Sequence, residues 1–126
     1  MDDRDHHEAG MATRREVLGA EHVEKAVANT TEFTADFQDF ITRYAWGEIW
    51  QRDSLDRRTR SCVTLAVLTA LRADGELGMH VKAALRNGLS KEEIREVLLH
   101  TAIYAGVPAA NTAFAIAQRA IDEFDG

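Results

Sequence analysis

The chain has 126 residues, 45% hydrophobic and 29% charged, with a formal net charge of −6. That length suits one globular domain with its own core, and the acidic balance argues against nucleic acid or an anionic membrane surface as partner. No apolar run reaches the roughly 20 residues that span a bilayer and no signal-peptide pattern opens the chain, so a cytoplasmic location is the expectation.

Cys62 is the single cysteine. It can form no intramolecular disulfide and no multi-thiolate metal site. One proline, with glycines at expected helix ends, predicts an all-α chain.

Residues 1–12, which open with "MDDRDHHEAG", are polar and aperiodic. They are expected to form a loose tail before a single helical domain over 13–126. His6 and His7 are read there as solvated side chains. "TRREVLGAEHVEKAVAN" predicts two short helices joined near Gly19. In "TTEFTADFQDFITRYAWGEIW", Phe33, Phe37, Phe40, Ile41 and Tyr44 recur at helical spacing, with Thr30 or Thr31 as N-cap.

"DSLDRRTRSCVTLAVLTALRADG" predicts a helix capped by Asp56, apolar nearly all round from Cys62 to Leu71. Such a helix is expected to be buried on most sides, in the core or at a subunit interface. "DGELGMHVKAALRNG" is the next helix, stopped at Gly88. In "LSKEEIREVLLHTAIYAG", Ser90 and Glu93 have capping-box spacing, and Gly106 ends the helix. Pro108 suits the first turn of a last, alanine-rich helix. The apolar central helix in so small a chain predicts a homo-oligomer.

Four constellations carry candidate chemistry. His80 can exchange a proton near neutrality, and Glu76 four residues earlier shares its helical face. A core histidine beside a solvent-facing glutamate fits the same spacing. Arg57, Arg58 and Arg60 occupy a first helical turn, where cations oppose the helix dipole. A bound anion would reconcile them; surface pairs with Asp53 and Asp56 are the plainer reading. In "YAWGEIWQR", Trp46 and Trp50 flank Glu48, either as walls that desolvate an acid or as core residues. His100 and Tyr104 are also one turn apart and fit a hydrogen-bonded pair.

"GEIWQRDSLDRRTRSCVTLAVLTAL", "HVKAALRNGLSKEEIREVLLHTAIYAGVPAAN" and the early "RREVLG" together resemble the carboxymuconolactone decarboxylase family, over residues 14–122. The resemblance implies an alkylhydroperoxidase D-like bundle of about six helices, assembled as dimers into a trimer or hexamer. Redox members of that superfamily carry Cys-x-x-Cys-x-x-x-His. Here His80 matches the motif histidine, Ala73 and Glu76 stand at the cysteine positions, and Ser61 falls near a relay glutamate. Without the thiols, peroxidase chemistry has no nucleophile, so the redox reading is disfavoured.

The family's reaction, as the resemblance implies, converts γ-carboxymuconolactone to β-ketoadipate enol-lactone and CO2 in protocatechuate catabolism. The unsaturated lactone is its own electron sink, so no cofactor and no metal is expected. On that implication His80 donates the proton or stabilises the oxyanion, with Glu48 as the alternative acid. Arg58, with Arg57 or Arg60, holds the remaining carboxylate, and Trp46, Trp50 and Tyr104 wall the pocket. A related lactone or keto acid as substrate, or a helical module without catalysis, are the competing readings.

Overall fold

The computed structural model describes residues 2–125. Among them are seven α-helices, one π-helix and no strand. The helices group into two packed units, Met1–Asp56 and Arg57–Gly126. The second unit begins at the arginine-rich turn.

The first unit contains α1 (Asp3–Leu18), α2 (Ala20–Ala28), α3 (Ala35–Ile41) and a π-helix (Thr42–Ile49). The expected loose tail is in fact the start of α1. The Asp2 carboxylate accepts from the Asp5 N–H at 2.9 Å, and Asp3 and Asp5 complement the positive helix end. Gly10, Thr13, Arg14, Val17 and Leu18 form the buried face. That face begins with a glycine and two polar residues, so hydrophobic periodicity does not reveal it. Gly19, at φ 91°, separates α1 from α2 as expected.

The "TTEFT…" segment is not one continuous α-helix. Thr31 and Thr34 exchange bonds between hydroxyls and backbone N–H groups at 2.9 and 3.3 Å, which holds a turn. The helix starts after Thr34, three or four residues later than expected. It then widens, and the Trp50 N–H donates five residues back to the Ala45 carbonyl at 2.9 Å. Phe33, Phe37, Phe40 and Tyr44 remain exposed, Phe33 at 95%. Phe33 thus lies in the turn, and only Phe37, Phe40 and Tyr44 of the stripe are helical.

Backbones meet where α1 crosses the π-helix. A Cβ placed on Gly10 would lie 1.9 Å from the Thr42 carbonyl oxygen, and one on Gly47 would lie 2.2 Å from the His6 carbonyl oxygen. Only hydrogen fits at either position, so these glycines set how closely the two helices approach.

The second unit contains α4 (Arg57–Ala70), α5 (Asp74–Arg86), α6 (Lys91–Ala105) and α7 (Val107–Asp125). Leu65, Leu77, Val81, Ala84, Leu89, Ile94 and Leu98 form its core, closed by Ala113, Ala117 and Ala120 of α7. The alanines recur at helical spacing and let α7 approach α5 and α6 closely. Ser90 and Glu93 form the predicted capping box, with bonds of 3.0 and 2.9 Å. Gly88 and Gly106 take φ of 98° and 103° at the two helix stops.

Of the two placements expected for α4, core or subunit interface, the core accounts for one face only. Ser61, Leu65 and Thr69 face the core, while Val63, Val67 and Leu71 are exposed. Within this unit three helices, α5, α6 and α7, pack on one face of α4, and Val63, Val67 and Leu71 lie off that face. Among the described residues no helix is long and apolar enough to cross a membrane.

Candidate active site

The predicted site residues are distributed between the units: Trp46, Glu48 and Trp50 in the first, and Arg57, Arg58, Arg60, His80 and Tyr104 in the second.

In the second unit, α4 and α5 are joined by only three residues and run antiparallel. The Asn87 amide donates to the buried Ser61 hydroxyl at 2.9 Å and fixes their register. His80 lies on the margin of the buried stripe Leu77–Val81–Ala84 and is half-buried. Seven residues before Asn87, it sits about 10 Å further along the helix axis from the Ser61 level. Arg57, Arg58 and Arg60 sit in the first turn of α4, next to Ser61. Glu76 is exposed in the first turn of α5, where its charge suits the helix dipole.

Arg58 is paired within the second unit. Its guanidinium donates to the Gly88 carbonyl and to the Glu93 carboxylate, tying the start of α4 to the α5–α6 corner. The Ser90 backbone N–H, aided by Arg58, holds the Glu93 carboxyl below its ordinary value. A substrate carboxylate at Arg58 would share this guanidinium with Glu93. Arg57 and Arg60 are half-buried beside it.

Tyr104 is 81% exposed, with its ring 5.1 Å from that of His100. His100 lines a shallow apolar groove of about 370 Å³ with Cys62, Val63, Ala66, Val97 and Thr101. Cys62 is half-buried there, consistent with a small hydrophobe.

In the first unit, Trp46 is 6% exposed and stacks on Trp50 at 5.2 Å between centroids. Glu48 is half-buried, and its oxygens lie 3.3 Å from His6 Nε2 and 3.6 Å from Arg52 Nη1. Sequence reasoning placed His6 in solvent. The helical α1 carries it onto Glu48 instead.

Arg14 was also missed. Its guanidinium donates to the Thr42 hydroxyl at 3.3 Å and the Gln38 side-chain carbonyl at 3.0 Å, while its Nε–H has no hydrogen-bond partner among the described residues. Burial alone lowers its pKa. The signal available in the sequence was its place on one helical face with Gly10, Val17 and Leu18. No group of three or more metal-ligating side chains occurs among the described residues.

Comparison with known proteins follows the same residues. Residues 35–119 match the model of the carboxymuconolactone decarboxylase family. The chain is 48% identical to a 4-carboxymuconolactone decarboxylase of Acinetobacter baylyi over 118 residues, 94% of this chain and 88% of that protein. It is 44% identical to a nitrosuccinic acid decarboxylase of Metarhizium robertsii over 114 residues, 90% of this chain and 80% of that protein. A 4-carboxymuconolactone decarboxylase sequence of Pseudomonas putida is 42% identical over 48 residues, 38% of this chain and 100% of that sequence. With a family match over most of its length and near-full-length relatives, the chain belongs to the carboxymuconolactone decarboxylase family.

Proposed function

We propose that the chain is a cofactor-independent carboxy-lyase that converts γ-carboxymuconolactone to β-ketoadipate enol-lactone and CO2. The observation that carries this reading is the 48% identity, over 94% of the chain, to a protein bearing that activity in its name.

The substrate's chemistry defines what the protein must supply. The departing carboxylate sits on the ring γ-carbon. As its C–C bond breaks, the electron pair moves through the conjugated C=C into the lactone carbonyl. A dienolate forms, and a proton added at its α-carbon gives the enol-lactone. The protein must hold the second carboxylate, stabilise the lactone oxyanion and deliver that proton. His80 is assigned the proton or the oxyanion, with Glu48 as the alternative acid. The Glu48 contact with His6 supports the alternative, since a histidine at 3.3 Å can exchange a proton with it. Arg57, Arg58 and Arg60 are assigned the substrate carboxylate, and Trp46, Trp50 and Tyr104 the pocket wall.

We further propose a homo-oligomer in the cytoplasm, with dimers assembled into a trimer or hexamer. The exposed Val63, Val67 and Leu71 of α4, and the exposed Phe33, Phe37 and Phe40, support this reading, since a second copy would remove them from water. In such an assembly, residues 44–60 of one copy can serve His80 of another.

The nitrosuccinic acid decarboxylase relative favours one second reading, a different acid whose departing carboxylate also lies next to an electron sink. A nitro group accepts the electron pair as the lactone carbonyl does. Comparing kcat/KM on the lactone and on nitrosuccinate decides between them. At least about tenfold preference for the lactone supports the first reading, and the reverse preference establishes the second.

A further inference from the structure

We infer that Arg14 is an anion-binding residue that holds a carboxylate of the decarboxylation substrate, an assignment that rests on the decarboxylase reading above. Arg14 is 5% exposed. Its two hydrogen-bond acceptors, Gln38 Oε1 and Thr42 Oγ1, are both neutral. No carboxylate pairs with it among the described residues. A buried guanidinium normally faces an acidic side chain, because removing its charge from water costs far more than neutral acceptors return. A leucine or glutamine would fill this helix joint at less cost.

The free donors point the same way. A guanidinium has five N–H groups, and Arg14 uses two of them. Its Nε–H is buried without a partner among the described residues. The Nε–H and a neighbouring Nη–H form the planar fork that matches a carboxylate. The ligand class is thus an organic carboxylate, and a dicarboxylate lactone presents one after the other has left as CO2.

Location adds a further argument. Thr42 opens the π-helix that carries Trp46 and Glu48, and α1 brings both Arg14 and His6 against that segment. Arg14 thus stands on the element where the proposed pocket wall and alternative acid reside. Arg58, by contrast, already has an acidic partner in Glu93, so the retained carboxylate moves here from the Arg57–Arg60 turn to Arg14.

Arg14→Met tests the inference through two readouts that a structural arginine would move differently. An arginine kept for binding destabilises the free protein, so Arg14→Met should melt at or above the wild-type temperature. Its KM for the lactone should rise about 100-fold, with kcat changed by only a few-fold, and Arg14→Lys should recover part of the loss. Arg14→Gln serves if the methionine variant fails to fold. A folded variant with kcat/KM within about threefold of wild type overturns the inference and leaves the decarboxylase reading intact. A wild-type protein inactive on the lactone overturns that reading instead. The site is then read by succinate, which should raise the melting temperature of wild type and not of Arg14→Met. Equal shifts, or none in either protein, overturn the inference.

Discussion

Gly10→Ala should destabilise the protein by about 3 kcal/mol, the upper end of what overpacking costs. The new Cβ would lie 1.9 Å from the Thr42 carbonyl oxygen and 2.9 Å from the Gly47 nitrogen, whereas real Cβ atoms stay beyond 3.0 Å. Both obstacles are backbone, so no rotamer change relieves the contact. The π-helix must retreat from α1 by at least about 1 Å, which loosens the Arg14 bonds to Thr42 and Gln38 as well. Gly75 is the internal control. A Cβ there meets nothing within 4 Å, so Gly75→Ala should stabilise by about 0.5–1 kcal/mol. In thermal unfolding these translate to a fall of about 10 °C for Gly10→Ala and a rise of about 2–4 °C for Gly75→Ala. A Gly10→Ala protein melting within about 2 °C of wild type would refute the close crossing.

Other substitutions probe the site and the α5–α6 corner. His80→Ala and Glu48→Gln should each lower turnover by at least about tenfold, and the larger loss identifies the proton donor; losses below that for both would sink the assignment. Arg58→Ala should lower stability even without substrate, because it removes the bonds to Gly88 and Glu93, and thermal melts of the free protein would show it. Glu93 ionises below the ordinary value near 4.5 in the native state, so the unfolded chain binds more protons in that range. Its contribution is therefore full above pH 4.5 and lost as pH falls through the lower native value. The stability gap between wild type and Glu93→Gln should shrink as pH drops from 6 to 3 in urea titrations.

Much of the second unit was legible because local signals there are strong and agree. Ser90 and Glu93 form the box that their spacing implies, and Gly88 and Gly106 stop helices at positive φ. The first unit was harder to read. Its buried face uses Gly10, Thr13 and Arg14, which carry little hydrophobic signal, so a helix was mistaken for a tail. The widening at Thr42–Ile49 has no propensity signature that a single sequence displays. For the site, residue chemistry pointed to His80, Glu48 and the arginines. It could not reveal that Glu48 meets His6 or that Arg58 is held by Glu93, because those pairs are 42 and 35 residues apart. The exposed faces of α4 could not be told from core in advance, since an all-round apolar helix reads the same whether its cover comes from its own chain or from another.

Decarboxylation with protonation at carbon is the central claim, and one measurement addresses it directly. γ-Carboxymuconolactone is generated in place in D2O, the purified protein is added without metal or cofactor, and CO2 and product are followed by NMR. The proposal predicts one CO2 per enol-lactone, with one deuterium at the α-carbon in a single configuration, because an enzyme-held acid delivers it from one face. No conversion above the spontaneous rate by the folded protein would contradict the activity, and a racemic deuterium label would contradict the assigned proton donor.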